Sequence, residues 1–167
     1  FNTEEIIEDE TRPLFIQALD WQTKQKKPEE KKTFIQYKDS VKINDKFFPD
    51  CIKKILSGIK SDGRKRALFI LITFLRKSNY SYEDIEPLLY EWNKKNYSTL
   101  PQTYIKAQLN WHRRQRQDIM PPNCDNEAYY AAIGVKCSHC DKFKNPLNYA
   151  LRMSKQNIYL KNKSKKT

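Results

Sequence analysis

The stretch Ala67 to Leu75 reads ALFILITFL, and it decides the fold because eight of its nine residues are apolar. A helix that is apolar on most sides lies buried inside a domain rather than on its surface. We therefore predict a central helix that begins near Arg64, directly after the Gly58 to Gly63 loop. The other elements are expected to pack around it.

Further helices are predicted on both sides of the central one from apolar spacing, capping residues and prolines. They cover Leu14 to Trp21, Asp50 to Ile59, Ser81 to Trp92, Pro101 to Arg116, Asp125 to Ile133 and Asn145 to Met153. The segment Thr33 to Ile43 alternates only weakly, which leaves a short strand pair and an extended segment both open. The predicted fold class is all-α, with few or no strands, in a single domain.

The chain has 167 residues, a length that suits one domain. Its composition nevertheless changes along the sequence and indicates three segments. Residues 1–32 are predicted to be an N-terminal helix and a charged linker, because Lys24 to Lys32 contains a proline and no apolar residue. Residues 33–154 are the predicted domain, and residues 155–167 are a basic tail. The chain begins with Phe1 rather than methionine, so we expect it to be part of a longer protein.

The chain is strongly basic, with 32 lysines and arginines against 20 acidic residues and a net charge of +12. This balance favours a polyanionic partner such as nucleic acid or an acidic membrane face. Aromatic residues make up 13% of the chain, and rings interleaved with cations suit a single nucleic-acid strand. An AT-rich genome would produce the same enrichment in lysine and tyrosine. No apolar run nears the roughly 20 residues of a membrane span, so we expect no membrane partner.

The chain lacks the residue patterns of common catalytic sites. It has no Ser-His-Asp pattern and no HExxH motif, and its tight acidic cluster, Glu8 to Glu10, lies in a polar segment without a strand to fix a metal. We therefore expect catalysis to lie on another chain or domain.

Four cysteines are predicted to converge on one metal centre around which the domain is built: Cys51, Cys124, Cys137 and Cys140. The last two form a C-x2-C pair, and the two lone cysteines follow proline-marked turns, FFPDC and MPPNC. Four thiolates suit either an iron–sulfur cubane or tetrahedral zinc. Zinc sites commonly use two close pairs, so the spacing here favours iron and sulfur. The alternative is that Cys51 and Cys124 are small buried apolar residues and the CxxC pair stands alone.

A basic loop, KSDGRKR, precedes the central helix and carries Lys60, Arg64, Lys65 and Arg66. Cations at a helix start are unfavourable because the helix dipole is positive there. Exposed N–H groups with cations beside them make a phosphate or triphosphate site. The charge alone supports equally well the alternative that these cations bind no ligand and are only solvated at the start of an apolar helix.

A second basic segment alternates rings and cations along the helix predicted from Pro101. Its residues are Tyr104, Lys106, Trp111, His112, Arg113, Arg114 and Arg116. This pattern indicates nucleic-acid contact. Arginines near a helix C-terminus are also favoured by the dipole without any ligand, and the rings could instead belong to the core.

Several stretches of the sequence resemble one known family. They are PDCIKKILSG, GRKRALFILITFLR, YIKAQLNW, and PPNCDNEAYYAAIGVKC with KNPLNYA after it. In their order and in the proline neighbours of the cysteines they are similar to the C-terminal iron–sulfur domain of the large subunit of archaeal and eukaryotic DNA primase. The resemblance covers about Phe47 to Ala150. Eukaryotic members separate their last two cysteines widely, whereas only two residues lie between Cys137 and Cys140.

The resemblance implies a [4Fe-4S] cluster on the four cysteines of an all-helical domain that has no polymerase site. It implies that the 5'-triphosphate of the initiating nucleotide is bound by Lys60, Arg64, Lys65 and Arg66. It implies that the single-stranded DNA template is bound, beside the RNA/DNA primer, by Tyr104, Lys106, Arg113 and Arg114. The remaining partner would be the primase catalytic subunit or a fused catalytic domain, inside the cell and near the nucleoid.

The residues alone leave two other functions open. One is a zinc-stabilised module that binds single strands through charge and stacking and ignores a 5'-triphosphate. The other is a protein-interaction domain whose surplus charge only keeps it solvated, with weak strand binding that salt removes.

Overall fold

A computed structural model describes residues 42–135 and 142–164, with side chains up to residue 157. The chain divides into two compact units, Phe1–Asp39 and Ser40–Thr167, and the described residues all belong to the second. The N-terminal helix and linker predicted over residues 1–32, most of the segment Thr33 to Ile43, and the pair Cys137 and Cys140 lie outside the described residues.

The described residues form five α-helices and contain no strand. The helices are α1 (Asp50–Leu56), α2 (Arg64–Lys77), α3 (Tyr82–Lys94), α4 (Gln102–Arg113) and α5 (Pro146–Ser164). Short 3-10 turns occur at Asp45–Phe47 and Ala131–Ile133. The predicted helical fold class is confirmed for this part of the chain.

Helix α2 is the centre of the core. It contacts α1, α3, α4, α5 and the 3-10 turn at Ala131–Ile133. Every residue of the apolar stretch is buried except Phe69, which is partly exposed. The one polar member, Thr73, satisfies its hydroxyl by donating to the carbonyl of Phe69 at 2.8 Å. Since burial of each large apolar side chain contributes roughly 1.5–3 kcal/mol, this helix contributes a large share of the hydrophobic stabilisation.

Two predicted helix starts are confirmed by the capping contacts themselves. The Ser81 hydroxyl accepts from the Asp84 backbone N–H at 3.1 Å, and the Asp84 carboxylate accepts from the Ser81 N–H at 3.2 Å, which completes a capping box at α3. At α5 the Asn145 side-chain oxygen accepts from the Leu147 N–H at 2.9 Å. Both contacts satisfy N–H groups that a helix start leaves unpaired.

The predicted helix over Asp125 to Ile133 is wrong: this segment forms turns and the single 3-10 turn at Ala131–Ile133. The Asn126 side chain accepts from the Ala128 N–H at 3.2 Å, a local bond that competes with helix formation. The Tyr130 hydroxyl donates to the carbonyl of Pro122 at 3.0 Å and holds the segment against the preceding proline turn.

Three helix ends differ from the prediction. Helix α1 stops at Leu56 because Gly58 follows with φ of +101° and lies against the backbone of Lys95. Helix α4 ends at Arg113, three residues before the expected Arg116. Helix α5 continues past Met153 to Ser164, through most of the predicted tail, since no glycine or proline interrupts it.

Candidate metal centre and basic surface

Cys51 lies in the first turn of α1, directly after the sequence Pro49 and Asp50. It is 2% exposed and belongs to the hydrophobic core, together with Phe48 and Ile52 on either side of the proline turn. A ligand at this position would therefore act from a rigid, water-excluded element.

Cys124 lies in the MPPNC turn, which is held against the start of α5. Its backbone N–H donates to the carbonyl of Lys144 at 2.7 Å. The Asn145 side chain donates to the carbonyl of Pro121 at 2.8 Å while its oxygen caps α5. Because Asn145 is 5% exposed, these bonds are shielded from water. The turn that carries Cys124 and the helix that follows residues 136–141 thus form one unit.

Cys137 and Cys140 lie outside the described residues, so the structure places two of the four predicted ligands. Among the residues that it does place, no three His, Cys, Asp or Glu side chains gather as a metal site. The described chain is anchored on both sides of residues 136–141. On one side the Val135 N–H donates to the carbonyl of Tyr130 at 2.8 Å, and on the other the Lys144 carbonyl accepts from Cys124.

The basic loop is fixed to the rest of the fold at Gly63. This residue caps α2 with φ of +112° and is buried, and a Cβ atom at its position would overlap with Cγ2 of Ile133. The next residue, Arg64, donates from Nη1 to the carbonyl of Ser98 at 2.6 Å and so joins the helix start to the loop before α4. The basic loop therefore lies against the turn at Ala131–Ile133.

The other three cations of the loop are exposed. Lys65 Nζ lies 5.2 Å from the ring centroid of Tyr104. Within residues 42–135 and 142–157, Lys60 and Arg66 form neither an ion pair nor a side-chain hydrogen bond. The contact between Lys65 and Tyr104 joins the two predicted basic sites into one surface.

The four residues predicted to bind the template do not share one face of α4. At 3.6 residues per turn, Tyr104 and Lys106 point about 200° apart around the helix. Arg113 lies on the side of α3: its guanidinium is 3.8 Å from the Glu83 carboxylate and 3.9 Å from that of Glu86. Lys106 and Arg114 are exposed. Two acidic side chains therefore offset the charge of Arg113.

A row of aromatic rings crosses from α2 to α4 and beyond. Phe69 lies 5.6 Å from the ring centroid of His112 and 5.7 Å from that of Tyr129, and His112 lies 4.9 Å from Trp111. Trp111 is 48% exposed, whereas His112 is buried and desolvation lowers its pKa. Phe69 and Tyr129 are site candidates that the sequence did not indicate, because one lies in the apolar stretch and the other in a segment predicted as helix.

Comparison of the chain with protein-family models, with curated proteins and with solved structures finds no match. None of the helices in the described ranges combines the length and the hydropathy that a bilayer crossing requires.

Proposed function

We propose that this chain carries the iron–sulfur domain of a DNA primase large subunit, which binds the 5'-triphosphate of the initiating nucleotide and the single-stranded DNA template. It has no catalytic site of its own in this proposal and serves a catalytic subunit or fused domain that makes the RNA/DNA primer. The observation that carries the proposal is the packing of Gly63 on Ile133. It brings the basic loop against the turn from which the chain enters the CxxC pair.

The metal centre is proposed to be a [4Fe-4S] cluster bound by Cys51, Cys124, Cys137 and Cys140. The two described thiols fit this donor set, since one is buried in the core and the other lies in a turn held by shielded hydrogen bonds. The CxxC pair lies in the sequence between two anchored residues, Val135 and Lys144. When bound, the cluster would link α1, the MPPNC turn and residues 136–141 covalently, which is the contribution we assign to it.

The triphosphate is proposed to lie against the basic loop. Lys60 and Arg66 are exposed cations without an acidic partner in the described ranges, so their charge is available to an anion. Arg64 has one of its five N–H donors on the Ser98 carbonyl and keeps others for a phosphate oxygen. These contacts support charge-assisted binding of phosphate.

The template is proposed to follow the aromatic row between α2 and α4. The partly exposed rings of Phe69 and Tyr129 and the exposed Trp111 offer stacking surfaces. Tyr104 adds a partly exposed ring on the same helix as Trp111, with Lys65 Nζ 5.2 Å from its centroid, and Arg114 is exposed at the end of that helix. Stacking on rings with cations along the backbone is how proteins bind single strands without sequence preference. Arg113 contributes less than expected from sequence because Glu83 and Glu86 balance it.

The metal is tested first. The chain is purified without oxygen and assayed for iron, sulfide and zinc, with a visible absorption spectrum. The proposal predicts about four irons and about four sulfides per chain and a broad band at roughly 400 nm. One zinc without sulfide would assign the alternative, a zinc-stabilised single-strand-binding module, and the absence of any metal would overturn both.

The triphosphate site is tested by charge reversal at the two unpaired cations. The double variant Lys60→Glu and Arg66→Glu is expected to weaken binding of a 5'-triphosphorylated oligonucleotide at least ~10-fold, with little change for the same oligonucleotide ending in a 5'-hydroxyl. Arg64 is left intact because its contact with Ser98 holds the loop. The double variant Arg152→Glu and Lys155→Glu, at two exposed positions of α5, changes the net charge by the same amount and is the control. Equal weakening for both oligonucleotides would contradict the assignment.

A further inference from the structure

Tyr97 stands out on the surface because it is 81% exposed, more than any other large apolar or aromatic side chain in the described part of the chain. Trp111 and Leu88 follow at 48% and 41%. A single exposed ring is ordinary on a protein surface and needs no function. What distinguishes Tyr97 is the way its backbone is held.

The loop that carries Tyr97 is bonded to the loop that carries the basic residues. The Tyr97 N–H donates to the Ile59 carbonyl at 2.9 Å, and Ile59 donates in turn to the side-chain oxygen of Asn96 at 2.8 Å. Gly58 lies so close to Lys95 that a Cβ atom would overlap with the Lys95 carbonyl. The backbone that carries the exposed ring is therefore fixed. It is hydrogen-bonded to Ile59, the residue directly before Lys60.

The far end of the Tyr97 loop is fixed as well. Arg64 donates to the Ser98 carbonyl at 2.6 Å. The Asn93 side chain both donates to the Leu100 carbonyl and accepts from the Leu100 N–H, each at 2.8 Å. A backbone held in this way loses little conformational entropy when a ligand stacks on the Tyr97 ring.

Asn96 adds an independent observation that points to a ligand. Its side chain is buried, with 8% of the residue exposed, yet its Nδ2 has no hydrogen-bond partner among the residues that the structure places. The orientation of the amide is fixed, because only its oxygen can accept from the Ile59 N–H. Buried donors are almost always bonded, so a donor left over at this junction is open to an acceptor that the described residues do not supply.

The geometry points to Tyr97 and Asn96 as the base-binding part of the nucleotide site. The nucleobase stacks on the Tyr97 ring, Asn96 Nδ2 donates to an acceptor atom on the edge of that base, and the phosphates lie against Lys60 and Arg66. This inference rests on the proposed triphosphate site and extends it from phosphate binding to binding of the whole nucleotide. It also assigns the loop between α3 and α4, from Lys95 to Thr99, to that site.

The test compares ATP with inorganic tripolyphosphate, which has the phosphates and no base, by titration calorimetry on the purified metal-containing chain. Tyr97→Ala is expected to weaken ATP binding at least about fivefold, the loss typical of one stacked base, and to leave tripolyphosphate binding unchanged. Tyr97→Phe keeps the ring and should bind ATP like the original chain. Leu88→Ala, which removes an exposed apolar side chain from α3, is the matched control.

Asn96→Asp tests the second contact, since it keeps the oxygen that accepts from Ile59 and removes the NH2 donor. It should also weaken ATP more than tripolyphosphate. Equal effects of Tyr97→Ala on the two ligands, or none on ATP, would overturn the inference. If the original chain binds both ligands equally well, the phosphate site stands and the base site fails. If it binds neither, the proposed triphosphate site fails and the base site fails with it.

Discussion

Gly63 lies in van der Waals contact with Ile133, and there is no room for a side chain between them. Its φ of +112° is also a backbone conformation that residues with a Cβ rarely adopt. This contact ties the start of α2, which is the centre of the core, to the turn before the CxxC pair. Both the fold and the proposed site therefore depend on a glycine at this position.

Gly63→Ala is expected to destabilise the domain by about 2–5 kcal/mol, the sum of backbone strain and overpacking. The free energy of unfolding from urea denaturation measures the loss. Gly134→Ala is the matched control: its φ is +68°, but nothing lies within 4 Å of the new Cβ, so only the strain of about 1–2 kcal/mol applies. If the two variants were equally stable, the contact with Ile133 would have no energetic weight.

Arg76 and Asp118 lie far apart in the sequence and are joined by two parallel hydrogen bonds of 3.1 Å between guanidinium and carboxylate. Their side chains are 24% and 32% exposed, so solvent screens the pair only in part. Asp118→Asn is expected to reduce the free energy of unfolding by about 1 kcal/mol, less at high salt. Glu91→Gln breaks the exposed pair with Lys94 and should cost clearly less, because solvent screens both charges of that pair. Equal losses would argue against the two-bond geometry.

The sequence predicts the helices well where local signals decide. The apolar stretch of α2 and the capping residues Ser81 and Asn145 are found as expected, because periodicity and caps act within a few residues. The segment Asp125 to Ile133 fails for two reasons. Asn126 accepts from the Ala128 N–H within the segment, a local signal against a helix that the prediction did not weigh. The bond from Tyr130 to Pro122 reaches a residue outside the segment, and no pattern within the segment indicates it.

His112 makes the stability of the domain depend on pH. Desolvation by burial lowers its pKa from 6.5, and the nearby charge of Asp118 opposes this shift. The unfolded chain therefore binds a proton near pH 6.5 that the folded domain does not. By linkage, the free energy of unfolding falls as the pH drops below that value and levels off once the pH passes the lower pKa of the folded state.

His112→Phe keeps an aromatic ring against Phe69 and Trp111 and removes the titrating group. The variant should lose less stability than the original chain between about pH 7.5 and about pH 5.5, as measured by urea denaturation at each pH. The other histidine of the sequence, His139, is unchanged in the variant. A pH dependence that is the same in both would show that His112 is not the group responsible.

For the candidate site, the sequence predicts which residues carry the charges and rings but not which side chains they contact. The charges of Lys60, Lys65 and Arg66 are found on the surface as expected, but Arg113 turns out to face Glu83 and Glu86. Those acids lie far away in the sequence, so nothing near Arg113 indicates them. The proposed role of Tyr97 was likewise not predictable, since it rests on the bond to Ile59 rather than on its neighbours in the chain.

Asn145 connects the stability of the fold to the proposed cluster. Its oxygen caps α5 at Leu147, and its NH2 group donates to the carbonyl of Pro121 in the turn before Cys124. Asn145→Asp keeps the cap and removes the donor, which leaves a buried carbonyl without its partner at a cost of about 1–3 kcal/mol. We expect lower stability and, under the proposed function, fewer irons per chain after purification without oxygen.

Asn44→Asp is the matched control, because Asn44 is exposed and uses only its oxygen, which accepts from the Lys46 N–H at 3.1 Å. This variant should keep both its stability and its iron. A loss of stability at Asn145→Asp with full iron content would mean that the turn of Cys124 keeps its place without the bond to Pro121. Loss of iron in the Asn145 variant alone would show that this buried position, through its side-chain bonds to the turn before Cys124, positions the ligand, since the two substitutions change the net charge of the chain equally.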